Sequence, residues 1–142
     1  MQQPSILVVD DEGDFLETLM NRLKKRKISA LGCGSGEEAL RLVKETPFDV
    51  VVLDIKMPGG MDGIQTLREI KKVRQQTEVI LLTGHASLET SMEGMQSGAY
   101  DYLLKPIRLE DLLDKLAQAL ERRGGSEAFA QSEEIRKLLK KT

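Results

Sequence analysis

Short apolar runs of strand length alternate along this chain with longer stretches of helical period. Residues 5–9 (S-I-L-V-V) form a compact apolar run that stops at Asp10-Asp11. Phe15, Leu16, Leu19, Met20 and Leu23 then fall at i, i+1, i+4, i+5 and i+8, which is one face of a helix. Residues 28–31 predict a second, weaker strand ending in Gly32-Cys33-Gly34. Ser35-Gly36-Glu37-Glu38 has the form of a capping box, and Ala39, Leu40, Leu42 and Val43 give the next helix its apolar side. Residues 48–53 predict the strongest strand, apolar almost throughout, as expected where both faces are buried. Pro58-Gly59-Gly60 breaks the chain before a helix marked by Ile64, Leu67 and Ile70. Residues 78–82 (E-V-I-L-L) predict a fourth strand, and Ser87 opens a short, rather polar helix with Met92 and Met95 inward. Residues 100–104 predict a fifth strand. Leu109, Leu112, Leu113, Leu116 and Leu120 mark the most regular amphipathic helix of the chain.

Five strands alternating with five helices indicate an α/β domain with a parallel sheet, because parallel neighbours need helical crossovers. Open sheets of this kind place their sites outside the carboxyl ends of the strands. The residues that end each apolar run are therefore the candidates. They are Asp10 and Asp11 after the first strand, Asp54 after the third, Thr83 after the fourth and Lys105 after the fifth. Like charges gathered at one edge repel, at about 4 kcal/mol per pair roughly 4 Å apart in an effective dielectric of about 20. Either some carboxylates protonate or a cation is bound. Oxygen ligands suit a hard ion, Mg2+ or Mn2+ in its place. Such a neutralised cluster beside a lysine and a hydroxyl is an anion trap around a nucleophile. An aspartate there can attack phosphorus and become an acyl phosphate. Asp54 is the natural nucleophile, since it ends the most buried strand.

Composition narrows the field. A length of 142 residues fits one domain with a short extension, and 21 basic against 23 acidic residues leave a net charge of -2. That balance argues against direct nucleic-acid binding by this domain. One cysteine and one histidine exclude an intramolecular disulfide and four-ligand Cys/His zinc sites. No apolar run is long enough to span a membrane and the N-terminus carries no signal-peptide pattern, so a cytoplasmic protein is expected. Gly32 to Gly36 (G-C-G-S-G) has the wrong spacing for a dinucleotide turn, and Cys33 reads as an inert filler. Residues 1–123 are expected to form the domain and 124–142 a charged extension or linker helix. In that extension Phe129, Ser132, Ile135, Leu138 and Leu139 can line a short second amphipathic helix.

Five motifs occur in order: V-V-D-D-E at 8–12, D-V-V-V-L-D-I-K-M-P at 49–58, M-D-G at 61–63, L-L-T-G at 81–84 and S-G-A-Y-D-Y-L-L-K-P at 97–106. Together they resemble the receiver domain of bacterial two-component response regulators, over roughly residues 5–123. The resemblance implies a doubly wound, flavodoxin-like sheet of strand order 2-1-3-4-5 with five helices. It implies Asp54 as phosphoacceptor for a sensor histidine kinase or phosphotransfer protein. Asp11, Asp54 and the Lys56 backbone carbonyl would bind Mg2+ directly, and Asp10 through water. Thr83 and Lys105 match the residues that contact the phosphoryl group, and Tyr102 the aromatic that swings inward with Thr83. The peptide bond Lys105-Pro106 is implied to be cis. Phosphorylation would reshape the face of the fourth helix, fifth strand and fifth helix for partner binding or dimerisation. Lys56 and His85, each two residues beyond a site residue, are expected to tune the phosphate lifetime. The only catalysis implied is phosphorylation from small donors and self-dephosphorylation. The basic run from Arg22 to Lys27 reads as the solvated end of the first helix, or as part of a kinase-docking face.

The pattern departs from the family at one point. Two glycines stand between Pro58 and Met61 where one residue is usual, so the loop after Asp54 is longer and freer in φ. Three other readings compete. An aspartate-nucleophile phosphatase of the haloacid-dehalogenase-like group needs a second acid two residues after the nucleophile, and Lys56 stands there. A degenerate receiver would lack site residues, and none is missing. The chain can also be the N-terminal receiver of a longer DNA-binding transcription regulator, since residues 124–142 hold no effector pattern.

Overall fold

The computed structural model describes residues 5–84, 88–124 and 133–139. Five strands, β1 (Ile6–Val9), β2 (Ala30–Cys33), β3 (Val50–Asp54), β4 (Glu78–Thr83) and β5 (Asp101–Leu104), pair in parallel in the order β2-β1-β3-β4-β5. Between and after them run α1 (Gly13–Lys25), α2 (Gly36–Glu45), α3 (Gly63–Val73), α4 (Leu88–Gln96) and α5 (Leu109–Arg123). Residues 133–139 form a sixth helix, α6, one more than the five expected.

Strand alternation divides the core in two. Ile6, Val8, Val50, Val52, Ile80 and Leu82 face α1 and α5, where Leu23, Leu112, Leu113, Leu116 and Leu120 cover them. Leu7, Val9, Val51, Leu53, Val79 and Leu81 face the other layer, against Val43, Ile64, Leu67 and Ile70. The interior strands β1, β3 and β4 are buried at every position. α6 packs on the first layer through buried Ile135 and partly buried Leu139. Arg136 of α6 reaches back to Glu121 of α5 with a pair of hydrogen bonds of 2.6 and 3.0 Å. The expected lining residues Phe129 and Ser132 lie outside the described residues.

Three expectations need correction. β2 runs Ala30–Cys33 rather than 28–31, because Gly32 is a strand residue: a Cβ there would press on Leu16 and Met20 of α1 at 3.2–3.3 Å. Met92 and Met95 do not point inward; they are 51% and 42% exposed. α4 instead turns Ser91 and Gly94 to the sheet, and a Cβ on Gly94 would overlap the Leu81 side chain, so only small residues fit that face. At α2 only half of the expected capping box forms, with Ser35 Oγ accepting from the Glu38 amide at 3.1 Å. The reciprocal box is at α3, between Asp62 and Gln65.

Candidate functional site

The carboxyl ends of β1, β3, β4 and β5 converge on one edge. The backbone sets this up: Lys105 N–H donates to Thr83 O at 2.8 Å, and Ile55 N–H to Leu82 O at 2.9 Å. Carboxylate oxygens of Asp10, Asp11 and Asp54 all lie within 4.8 Å of one another. Asp10 is fully buried, Asp54 is 4% exposed, and Asp11 is exposed. Asp10 accepts from the Glu12 amide at 2.9 Å and from Lys105 Nζ at 2.7 Å. Lys105 Nζ also lies 3.6 Å from Asp54 Oδ1 and 3.5 Å from Glu12 Oε1. Lys105 Nζ lies over the Phe15 ring, 4.3 Å from its centroid.

Charge in this edge is out of balance. Burial, then the facing Asp10 charge, push the Asp54 carboxyl up to about 6, with Lys105 opposing and Asp11 adding. Burial alone would pull Lys105 down, but its hydrogen bond to Asp10 and the charges of Asp54, Asp10 and Glu12 leave it raised. One ammonium among three gathered carboxylates leaves two negative charges uncompensated, and two of the three acids are out of solvent. An all-oxygen, partly buried, over-negative cluster is what a hard divalent ion neutralises, so these residues could hold a metal.

Around the cluster the remaining candidates fall at different depths. Thr83 is buried at the end of β4, and beside it a Cβ built on Gly84 meets nothing within 4 Å among the described residues. Lys56 is exposed, two residues beyond Asp54. Beneath the site, Gly63 N–H donates to Ile55 O at 2.8 Å, and a Cβ on Gly63 would overlap Asp54 O and Ile55 Cα. Tyr102 is 37% exposed and borders a groove of about 240 Å³ with Ser91, Met92, Met95 and Gln96. His85 lies outside the described residues. The Lys105-Pro106 bond is cis. Cys33 is buried, its thiol pushed up to about 11 chiefly by that burial, as an inert filler would be.

Sequence reading missed two neighbours of Lys105. Glu12 stands in the V-V-D-D-E motif, where the two aspartates before it carry the stronger signal. Phe15 read as an ordinary core position of the first helix, and no local signal marks its ring as the support of a lysine 90 residues away.

The response regulator receiver domain family matches residues 6–117. The chain is 39% identical over 115 residues to the transcriptional regulatory protein ZraR of Escherichia coli K12, covering 81% of this chain and 26% of ZraR. It is 36% identical over 132 residues to the transcriptional regulatory protein PrrA of Mycobacterium tuberculosis, covering 93% of this chain and 56% of PrrA. The chain thus spans about a quarter to somewhat over half of these curated relatives. Among solved structures, a CheY-like receiver domain protein from Methanospirillum hungatei superposes with a TM-score of 0.80 at 30% identity, over 86% of this chain and 97% of that one. Among the described residues no helix is long and apolar enough to cross a membrane.

Proposed function

Because the chain belongs to the response regulator receiver domain family, we propose that it is a phosphorylation-activated switch with Asp54 as phosphoacceptor. The observation that carries this reading is the placement of Asp54: a buried carboxylate, 3.6 Å from the Lys105 ammonium, in a cluster of three acids. In the metal-free site its carboxyl, at about 6, is ionised at neutral pH, the form that can attack. An Asp54 oxygen forms the new O–P bond as the P–N bond of a kinase or phosphotransfer-protein phosphohistidine breaks, the histidine nitrogen keeping the electron pair. Lys105 binds a phosphoryl oxygen, and the Thr83 hydroxyl donates to another. Asp11, Asp54 and the Lys56 carbonyl would hold Mg2+, with Asp10 acting through water. When bound, that ion supplies the positive charge this edge lacks. Lys56 and His85 set how readily water reaches the acyl phosphate, so the chain takes phosphoryl groups from small donors and loses them by its own hydrolysis.

The output lies one strand away. Movement of Thr83 toward the phosphoryl group lets Tyr102 turn inward, and this remodels the face of α4, β5 and α5. Met92, Met95 and Leu104 expose apolar surface there, at 51%, 42% and 49%, and suit a partner or a second copy. Residues 1–123 carry the phosphoacceptor unit, and 124–142 an extension whose α6 packs back on α5. The matched relatives are transcriptional regulatory proteins, and serving as the receiver of a longer cytoplasmic regulator of that kind fits the same site.

Adding a small phosphodonor and Mg2+ while recording methionine methyl resonances tests the switch. Shifts at Met92 and Met95 that vanish with Asp54→Asn support it; a silent face in phosphorylated protein overturns it.

A further inference from the structure

The two glycines after Pro58 lengthen the loop that leaves Asp54, and the fold answers with a tie from outside it. Residues 56–62 leave the sheet after Ile55 and return at Gly63, whose amide closes the base by donating to Ile55 O at 2.8 Å. Gly59 takes φ +90°, a left-handed value that an L side chain resists. An extra glycine adds backbone freedom that ordering the loop must overcome. Glu37, in the first turn of α2, reaches across to this loop: Met61 N–H donates to Glu37 Oε2 at 3.0 Å. That bond holds the Glu37 carboxyl below its ordinary value. A Cβ on Gly60 would lie only 2.6 Å from Glu37 Oε2, so the second glycine is what lets the carboxylate come in. The next amide, Asp62 N–H, donates to Gln65 Oε1 at 3.1 Å, and the return limb is held from both sides.

We propose that Glu37 is a positioning residue for the phosphoryl site, its carboxylate clamping the Met61 amide so that the lengthened loop presents the Lys56 carbonyl in one place. Among the described residues, Glu37 bonds to the loop and not to the acids or Lys105. The proposal rests on the functional reading above, in which the Lys56 carbonyl helps hold Mg2+. Gly60 and Glu37 act as a pair: the glycine creates the slack and admits the carboxylate that removes it.

The test is Mg2+ titration of the full chain by amide NMR, with exchange of the Met61 amide followed in metal-free protein. Glu37→Ala should weaken Mg2+ binding roughly threefold and speed Met61 exchange by a similar factor, as loss of one solvent-exposed hydrogen bond implies. Glu37→Gln, which still offers an acceptor, should restore most of both. Gly60→Ala should mimic Glu37→Ala. Deleting Gly60 should make Glu37→Ala silent. Unchanged Mg2+ affinity in Glu37→Ala, no rescue by Glu37→Gln, or an equal Glu37→Ala effect without Gly60 would each overturn the clamp. Wild-type chain that binds Mg2+ but takes no phosphoryl group from a small donor would sink the functional reading instead, while the same titration still decides the clamp.

Discussion

Asp10 Oδ2 and Lys105 Nζ lie 2.7 Å apart, joining the ends of β1 and β5 across 95 residues of sequence. Asp10 is fully buried, and Lys105 is the cation that pairs with it there. Lys105→Ala should cost metal-free protein about 3 kcal/mol, because it strands a buried carboxylate. Adding Asp10→Asn should recover much of that loss. Urea unfolding of both single variants and the double variant checks the coupling, and strictly additive effects would contradict it.

Asp54 gives a pH dependence of unusual sign. Its carboxyl binds a proton at about 6 when folded against an ordinary 3.8, so the folded state holds more protons between those values. Stability therefore falls as pH rises through that window, by up to about 3 kcal/mol for a shift of roughly two units. Asp54→Asn removes the penalty. In metal-free buffer the variant should be more stable than wild type at pH 7.5, by about 2 kcal/mol, and nearly equal to it at pH 4. Denaturant midpoints at both pH values measure this.

Two glycines near the site should respond unequally. Gly63→Ala drives a Cβ into Asp54 O and Ile55 Cα, fixed backbone that cannot step aside, and should cost about 2 kcal/mol or more. Gly84→Ala meets no described residue within 4 Å and should leave the melting temperature nearly unchanged. Thermal melts of the two variants separate them.

α6 is held by packing more than by charge. Ile135 is buried in the α1–α5 layer, and Ile135→Ala should cost about 2 kcal/mol. Arg136→Ala removes a surface pair with Glu121, each side chain about one-third exposed, and a longer one with Asp114, and should cost under about 1 kcal/mol. Unfolding free energies of the two variants give the ratio directly.

Thr83 links site and face. Thr83→Ala should still accept a phosphoryl group on Asp54, while the methyl resonances of Met92 and Met95 stay at their unphosphorylated positions. Full methionine shifts in that variant would place the link elsewhere.

The elements that were readable from sequence are those whose burial is two-sided or strictly periodic. β3 and β4, buried at every position, and α5, with leucines on one stripe, stand out in any window. Because Asp54 and Thr83 end their strands and Asp10, Asp11 and Lys105 stand just beyond theirs, the topology carries the candidate cluster with it. What escaped depends on distant partners. Gly32 looks like a turn residue until α1 lies across it, and Met92 and Met95 look like a core stripe until Gly94 is found against Leu81. Glu37 sits in a helix-start motif, and only the fold brings it to the Met61 amide.

The central claim is that Asp54 takes a phosphoryl group. Intact-protein mass after incubation with a small phosphodonor and Mg2+ tests it most directly, followed by peptide mapping of the modified residue. The account predicts a gain of one phosphoryl group, located on Asp54, absent without Mg2+ and absent in Asp54→Asn. No gain in the wild-type chain, or an equal gain in Asp54→Asn, would contradict it.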